Sequence, residues 1–446
     1  MKALFVNPYI TDFTAYDLWL RPLGLLYTVA AVQAYTDVEI YWLDALDRFQ
    51  QDKTPTSRPD GRGKFQRQII DKPDIYGGIP RNYARYGLPL DVFRQRLDQI
   101  PPVDFIFVTS LMTYWLDGIN FTLALVKKRF PHARVVLGGI LPSLMANSIK
   151  DYIPADFYIA GYGEEAILTF LARQGVKVEP HPDLSDIDRI PYPAVRFLGS
   201  QTFLPLLTSR GCPFQCTYCA SNLLNPRFRE RTAHNILEEI HYMVDRFGTQ
   251  HFILFDDALL VHKKERFFKV FRRVREELNI RFHTPNGLHA REVDRQTAEI
   301  LYQSGFETLR LSFESTEPGI LSRSSGKVNV RQMEAAVDNL ERAGYKRRDL
   351  ACYLLFGLPG QTVKDIEDAL YFARDLGIVP HLAYYSPVPG TPDFLSLQKQ
   401  GILAAPLNLY ETNKIYYLYR KSGFSHADIQ HIKDLTAHIT QTLRGQ

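Results

Sequence analysis

The sequence predicts an α/β protein with a Rossmann-like domain at the amino terminus, followed by a partial (β/α)6 barrel and a helical carboxyl-terminal region. Two observations lead to this fold class. Short apolar runs alternate with helix-like segments from residue 1 to about residue 170, and a second such series begins after a segment rich in proline and aspartate. Alternation of strands and helices indicates a mainly parallel sheet covered by helices.

The first series contains five apolar runs typical of buried strands: "KALFVNP", "VEIYWL", "DFIFVTS", "ARVVLGG" and "FYIAGYG". Helix-like segments at 23–35 and 119–130 lie between them. Several of the runs end in small or turn-forming residues, which we expect to meet at the carboxyl edge of the sheet, where open α/β sheets bind ligands. A basic, glycine-rich segment, 50–87, is predicted to be an insertion across that edge.

The second series predicts six strand–helix repeats over roughly 190 residues, fewer than the eight repeats and about 250 residues of a complete barrel. The expected strands are "FLPLLTS", "HFILFDD", "IRFHTPN", "TLRLSFE", "DLACYLLFG" and "HLAYYSP", and the expected helices span 233–247, 264–278, 294–304, 330–343 and 363–376. We therefore divide the chain into a first domain at 1–175, a linker at 176–200, a partial barrel at 201–394 and a helical region at 395–446.

The composition is that of an ordinary globular protein, with 45% hydrophobic and 23% charged residues among 446. The formal net charge of +4 does not indicate a nucleic-acid partner. The longest apolar runs are too short and too interrupted to cross a bilayer, and the amino terminus lacks the cleavage region of a signal peptide. The sequence thus predicts a cytoplasmic protein without a membrane span.

Three of the four cysteines, Cys212, Cys216 and Cys219, fall within eight positions directly after the first barrel strand. A reducing compartment keeps such thiols available for metal, and soft sulfur ligands favour iron–sulfur clusters or zinc. Structural zinc is usually closed by four protein ligands, whereas three cysteines on a [4Fe-4S] cluster leave one iron open to a small molecule. A zinc-stabilised binding module without catalysis stays the alternative.

The segment "CPFQCTYC" has CxxxCxxC spacing and, in this position, resembles the radical S-adenosylmethionine (SAM) superfamily. The resemblance implies a [4Fe-4S] cluster on the three cysteines, SAM on the open iron, and an electron donor such as flavodoxin or ferredoxin. It also implies that SAM is bound by residues at the carboxyl ends of the barrel strands. Those residues are Tyr218, Asp256, Asp257, Ser312, Glu314, Arg323 and Gly357.

The first domain resembles the cobalamin-binding domains of one branch of that superfamily. Ser110 follows a middle strand, and Gly138 and Gly139 follow the next one, where the resemblance implies contacts to cobalamin. The family's usual Asp-x-His-x-x-Gly loop is missing: the corresponding loop is "TAYDLWLRPLGLLY", and the first 131 residues contain no histidine. Members of this branch often bind cobalamin without a histidine on cobalt.

The resemblance implies an enzyme that cleaves SAM to a 5'-deoxyadenosyl radical and, with cobalamin, methylates an unactivated carbon of a small molecule or peptide. A second possibility is a cobalamin-associated cyclase or rearrangement enzyme that transfers no methyl group. A methylthiotransferase shares the barrel, but it normally carries further amino-terminal cysteines and an RNA-binding domain that this sequence does not show. His283, His289, Tyr384 and Tyr385 are candidates to face substrate, although such side chains are more often packed or capped, and no catalytic residue is identified.

Overall fold

The computed structural model describes residues 1–49, 57–146, 148–323 and 328–445, which form two compact units, Met1–Gln201 and Thr202–Gln446. Residues 50–56 of the predicted insertion lie outside the described residues. No helix in the described ranges has the length and apolar character needed to span a bilayer. The finer division of the sequence into four segments stays a prediction.

The first unit is a Rossmann-like α/β structure. Its elements are β1 (Lys2–Asn7), β2 (Ile10–Asp12), α1 (Leu23–Tyr35), β3 (Glu39–Asp44), β4 (Arg67–Ile70), β5 (Tyr83–Tyr86), α2 (Leu90–Asp98), β6 (Phe105–Val108), α3 (Leu116–Arg129), β7 (Arg134–Leu137), α4 (Ile140–Leu144), β8 (Phe157–Tyr158) and α5 (Gly163–Arg173). Five parallel strands pair in the order β3-β1-β6-β7-β8. All four residues of β6 are buried, as expected of an inner parallel strand covered on both faces.

A smaller antiparallel sheet of order β2-β5-β4 also belongs to the first unit. Strand β2 begins three residues after the end of β1, so this sheet starts at the carboxyl edge of the main sheet. Its strands β4 and β5 come from the predicted insertion. The sequence did not predict these strands, because "RQII" and "YARY" are short and flanked by polar residues.

The second unit contains the barrel strands and the carboxyl-terminal helices. Its elements are β9 (Phe203–Leu206), β10 (Ser209–Arg210), α6 (Ser221–Leu224), β11 (Arg229–Glu230), α7 (Ala233–Phe247), β12 (His251–Leu254), α8 (Phe267–Glu277), β13 (Arg281–His283), β14 (Leu288–His289), α9 (Arg295–Gln303), β15 (Phe306–Thr308), β16 (Arg310–Glu314), α10 (Pro318–Arg323), α11 (Val330–Ala343), β17 (Ala351–Phe356), α12 (Val363–Asp375), β18 (Val379–Tyr384), α13 (Pro392–Lys399), α14 (Lys414–Arg420) and α15 (His426–Gly445).

The barrel strands pair in two parallel sheets, β9-β12-β13-β15 and β14-β16-β17-β18. Strands β15 and β16 are separated only by Leu309, so the fourth barrel strand passes from one sheet to the other. Counted along the chain, β9, β12, β13, β15 with β16, β17 and β18 make six strand units. The predicted fold class, a Rossmann-like domain with a partial (β/α)6 barrel and a helical carboxyl-terminal region, is confirmed.

Four of the barrel helices, α7, α9, α11 and α12, begin at a side-chain cap. In α7 the Thr232 side chain accepts a hydrogen bond from the Asn235 amide, and the helix ends at Gly248, which has a left-handed backbone with φ of 65°. Helix α12 begins with a capping box formed by Thr362 and Asp365. Because the barrel strands pair in parallel, the carboxyl ends of the strands in each sheet lie at one edge.

Candidate functional site

The cysteine loop, defined as residues 211–220, connects β10 to α6. Cys212 and Cys216 are buried, Cys219 is exposed, and none of the three forms a disulfide. The Cys219 amide donates a 3.1 Å hydrogen bond to the Cys216 carbonyl, so these two residues share a tight turn. Gly211 enters the loop with φ of 85°, a conformation that disfavours any residue with a side chain.

The base of the cysteine loop is held by Asp256, which follows β12. Its buried carboxylate accepts hydrogen bonds from the Thr208 amide at 3.0 Å, the Thr208 hydroxyl at 2.6 Å and the Ser209 hydroxyl at 2.6 Å. A buried carboxylate needs such donors, because water is not available to solvate it. The structure thus gives Asp256 the task of fixing the chain before Cys212, and its predicted contact with SAM stays a prediction.

Asp257 reaches the other side of the loop. It is exposed and accepts a 2.6 Å hydrogen bond from the Ser221 hydroxyl. The Ser221 amide in turn lies 3.5 Å from the Cys219 sulfur, within range of a weak hydrogen bond to that atom. Asp257 is therefore connected to Cys219, the exposed cysteine of the three, through the hydrogen bonds of Ser221.

Tyr218 and Glu314 lie beside the cysteines. The Tyr218 hydroxyl donates a 3.2 Å hydrogen bond to Oε1 of Glu314, the last residue of β16. Burial, and next the negative charge of Glu314, raises the pKa of the Tyr218 hydroxyl far above its ordinary value, and the thiols of Cys216 and Cys219 add to this rise. These four side chains therefore converge at the carboxyl end of the barrel.

Arg323 contacts the cysteine loop through its backbone and α13 through its side chain. Its guanidinium contacts Asp393 of α13 at 2.8 Å and donates a 2.7 Å hydrogen bond to the Pro359 carbonyl. Its own carbonyl accepts a 3.1 Å hydrogen bond from the Thr217 amide, and the Thr217 carbonyl accepts one of 3.0 Å from the Asp393 amide. Arg323 thus joins the cysteine loop, the segment after β17 and α13, whereas its predicted contact with the SAM carboxylate stays a prediction.

The remaining predicted SAM residues lie on neighbouring strands. Ser312 of β16 packs so closely on Gly287 that an added Cβ at Gly287 would stand 2.2 Å from its hydroxyl oxygen. Gly357 follows β17 with φ of 92°, and its amide donates a 2.9 Å hydrogen bond to the Gln361 side chain. Gln361 also donates to the Leu355 carbonyl at 2.9 Å, which fixes the turn at Gly357.

The loop fits a three-cysteine cluster. Three cysteines outside any disulfide lie in one short loop, and two of them stand beside the same tyrosine hydroxyl. Buried thiols next to acidic groups are poor isolated thiolates, and a bound cation such as an iron cluster reverses that cost. Cys352, the fourth cysteine, is instead fully enclosed in β17, and burial raises the pKa of its thiol to about 12.

In the first unit the predicted cobalamin residues come together at the carboxyl ends of β6 and β7. The Ser110 hydroxyl donates a 2.8 Å hydrogen bond to the Gly138 carbonyl and accepts one of 3.1 Å from the Leu141 amide. Gly139 has φ of 95°, and a Cβ there would stand 2.4 Å from the Ser110 carbonyl oxygen. A Cβ on Gly138 would meet nothing nearer than the Ile159 carbonyl at 4.0 Å, so the backbone of Gly138 leaves room beside it for a ligand.

The loop "TAYDLWLRPLGLLY", which lacks the cobalt-binding histidine of the resemblance, contains a buried aspartate and a buried tryptophan. Asp17 is fully buried and accepts hydrogen bonds from Nε of Arg48 at 2.8 Å and from the Leu20 amide at 2.7 Å. Trp19 is fully buried with φ of 61°, and the Arg62 guanidinium lies over its ring at 5.1 Å. The structure therefore places an ion pair and an indole, rather than an imidazole, in this loop.

Several residues that shape the site were not found from the sequence. Thr208, Ser221, Gln361 and Asp393 act through hydrogen bonds to partners that are 4 to 70 residues distant in the chain. No local pattern marks such pairs. The capping motif at Thr362 and Asp365 was the one nearby signal, since it predicts that the residues just before it form a turn.

Residues 206–373 match the model of the Radical SAM superfamily, so the barrel carries that family's domain. The chain is similar to proteins named as methyltransferases. It is 26% identical over 382 residues to an uncharacterized methyltransferase of Pyrococcus horikoshii, covering 83% of this chain and 77% of that one. It is 21% identical to cytidylyl-2-hydroxyethylphosphonate methyltransferase of Streptomyces wedmorensis, covering 92% and 84%.

Among solved structures the chain is similar to the radical SAM methyltransferase TsrM of Kitasatospora setae, determined with cobalamin and a [4Fe-4S] cluster bound. The TM-score is 0.68 at 14% identity, covering 97% of this chain and 90% of that one. A structure of the same enzyme with tryptophan substrate and a SAM analogue gives a TM-score of 0.63, covering 90% and 76%. The similarity shows that the two chains share a fold, and the Radical SAM domain implies a [4Fe-4S] cluster and SAM.

Proposed function

We propose that this enzyme is a cobalamin-dependent radical SAM methyltransferase that methylates an unactivated carbon of a small molecule or peptide. The observation that carries the proposal is the meeting of Ser110, Gly138 and Gly139 at the carboxyl edge of the first sheet. That edge is where open α/β sheets take their ligands, and it occurs in a chain whose other unit carries the radical SAM domain.

In the proposal, Cys212, Cys216 and Cys219 hold the [4Fe-4S] cluster. When bound, the reduced cluster supplies the electron that cleaves SAM to methionine and a 5'-deoxyadenosyl radical, while cobalamin carries the methyl group. The protein holds and orients these groups. Burial of Cys212 and Cys216 keeps water from two of the three sulfur atoms. The hydrogen-bonded side chains of Tyr218 and Glu314 provide polar groups beside the cysteines for binding SAM.

In the first unit, Gly138 provides the open backbone beside which a nucleotide tail can lie. The Ser110 hydroxyl is engaged by Gly138 and Leu141, so its part is to shape the glycine turn. With Trp19 and the Asp17–Arg48 pair filling the loop after β2, the proposal has cobalamin bound without a protein ligand to cobalt. An electron donor such as flavodoxin or ferredoxin and a cytoplasmic location belong to the same proposal.

The test begins with cobalamin content in protein produced by cobalamin-replete cells. We expect about one cobalamin per chain, together with transfer of a deuterated methyl group from labelled SAM to the product. Gly138→Val, which places a branched side chain in the open space, should lower cobalamin content while iron and sulfide stay at the wild-type level. Protein without cobalamin would contradict the proposal, and 5'-deoxyadenosine formed without label transfer would indicate a rearrangement or cyclisation instead.

A further inference from the structure

A second group of metal-binding side chains lies in the barrel, away from the cysteine loop. His251 begins β12, His283 ends β13, and Glu307 lies in β15, three strands that pair side by side. One ligand atom from each of these residues lies within 4.8 Å of the others. Two imidazoles and one carboxylate are a donor set that zinc accepts in proteins.

The two imidazoles are already arranged as a pair of ligands. Nδ1 of His251 lies 3.0 Å from Nε2 of His283, so one of the two nitrogens donates a hydrogen bond to the other. Zinc–nitrogen bonds of about 2.0–2.1 Å that meet at a tetrahedral angle put the two nitrogens about 3.3 Å apart. The spacing of the two nitrogens is therefore within a few tenths of an ångström of the spacing in a zinc site.

The orientation of the His283 imidazole is also fixed by a hydrogen bond at its other ring nitrogen, Nδ1. Its Nδ1 lies 3.1 Å from the Thr308 hydroxyl oxygen, which leaves Nε2 directed at His251. Ligating histidines in metal sites usually have such a partner on the second nitrogen, because it fixes the tautomer and the ring orientation. The ring of His251 is stacked on Phe203, with centroids 4.6 Å apart, which restrains the second ligand.

Glu307 provides the third ligand from the solvent side. Its side chain is 48% exposed and contacts Nε of Arg281 at 3.0 Å. An exposed ion pair of this kind contributes little to stability, so the carboxylate can turn to a metal ion at little cost. Arg281 is the one charged side chain paired with Glu307 among the described residues. When Glu307 turns to the metal ion, the guanidinium of Arg281 stays exposed to water.

The position in the barrel separates this group from the radical SAM site. The phenylalanines that alternate with the histidines, Phe252 and Phe282, belong to the helix-facing side, where Phe271 of α8 packs on Phe282 at 4.9 Å. His251 and His283 therefore face the barrel interior. His251 also stands five positions before Asp256, a path of about 17 Å at about 3.3 Å per residue.

We propose that His251, His283 and Glu307 bind a zinc ion, with water as the fourth ligand, near the amino-terminal ends of β12 and β15. The ion would tie β12, β13 and β15 together at the end of the barrel that serves stability rather than chemistry. This site does not depend on the proposed methyl transfer, and its ligands are distinct from the cluster cysteines.

The test measures zinc in the full-length protein with its cluster reconstituted, after dialysis against buffered zinc. We expect about one zinc per chain beside the cluster iron, and a rise in the unfolding temperature when zinc is added. His251→Gln and Glu307→Gln should each weaken zinc binding at least about tenfold. His234→Gln is the matched control, since His234 forms an exposed pair with Glu238 at 3.3 Å and should leave zinc binding unchanged.

A variant without Cys212, Cys216 and Cys219 separates this site from zinc bound by empty cluster thiols. Zinc retained by that variant supports the histidine site, and zinc lost with the cysteines overturns it. Wild-type protein that binds no zinc beside its cluster would also overturn the proposal. So would His251→Gln and Glu307→Gln variants that bind zinc as tightly as the wild type.

Discussion

The Tyr218 hydroxyl donates a 3.2 Å hydrogen bond to Glu314, which joins the cysteine loop to the end of strand β16. Tyr218→Phe removes this bond, and hydrogen bonds to charged groups contribute about 1.5–3 kcal/mol. We expect the variant to keep its iron and sulfide, since the cysteines are unchanged, and to bind SAM about tenfold more weakly. Equilibrium dialysis with labelled SAM measures this, with Tyr242→Phe on exposed helix surface as the control.

SAM affinity equal to that of the wild type would show that Tyr218 and Glu314 serve only the packing of the loop. Loss of iron from Tyr218→Phe would show instead that the hydroxyl is needed to hold the cysteines. Either result would remove Tyr218 from the residues proposed to bind SAM.

The two neighbouring aspartates should differ sharply in their effect on stability. Asp256→Ala leaves the Thr208 amide and the Thr208 and Ser209 hydroxyls without their buried acceptor, which should cost about 3 kcal/mol or more. Asp257→Ala removes one exposed contact with Ser221 and should cost no more than about 1.5 kcal/mol. Thermal unfolding followed by circular dichroism compares them, and equal losses of stability would contradict the separate roles of the two carboxylates.

The adjacent glycines of the first unit should also respond differently. Gly139→Ala forces a residue with a side chain to φ of 95° and brings its Cβ within 2.4 Å of the Ser110 carbonyl oxygen, so we expect it to destabilise the unit. Gly138→Ala meets no atom within less than 4.0 Å and should leave stability unchanged. The three tryptophans, Trp19, Trp42 and Trp115, all lie in this unit, so urea unfolding followed by tryptophan fluorescence reports on it selectively.

Asp44, at the end of β3, should make the stability of the first unit depend on pH. Burial, and next the negative charge of Asp47, raises the pKa of Asp44 from 3.8 to about 7. Because the folded state binds this proton more tightly than the unfolded state, the stabilisation is complete below about pH 4 and is lost as the pH rises towards about 7.

The variant Asp44→Asn keeps an oxygen to accept from Asn7 and Leu46 but cannot titrate. Between about pH 4.5 and about pH 7 the free energy of unfolding of the wild type should fall relative to that of the variant by up to about 1.4 kcal/mol per pH unit. Urea unfolding by tryptophan fluorescence at several pH values measures this difference. A difference that does not change with pH would contradict the raised pKa.

Periodicity and capping predicted much of the fold because both are local properties. The predicted helix bounds of α7 and α11 agree with the structure, since each begins at a side-chain cap and ends at a glycine. The antiparallel sheet β2-β5-β4 was missed because its strands are short and polar, and its pairing joins residues more than seventy positions apart. The predicted strand "IRFHTPN" is shorter in the structure, where β13 covers only Arg281–His283. The sequence did not predict β14, which follows Gly287, a residue packed on Ser312.

The residues of the site could be proposed from the sequence, but their partners could not. The pairing of Arg323 with Asp393 and that of Asp256 with Thr208 connect segments 70 and 48 residues apart, and only the barrel brings them together. Charge and hydrogen-bonding capacity are visible in a sequence, whereas the partner that satisfies them depends on tertiary structure. For the same reason no sequence pattern indicated that His251 and His283 lie 3.0 Å apart.

Formation of 5'-deoxyadenosine shows whether Cys212, Cys216 and Cys219 hold a cluster that cleaves SAM. With dithionite and SAM, the reconstituted wild type should form 5'-deoxyadenosine, and each cysteine-to-alanine variant of the loop should form none above background. Cys352→Ala should behave as the wild type, because Cys352 is buried in β17. A variant of any of the three loop cysteines that still forms 5'-deoxyadenosine at the wild-type rate would overturn the cluster assignment.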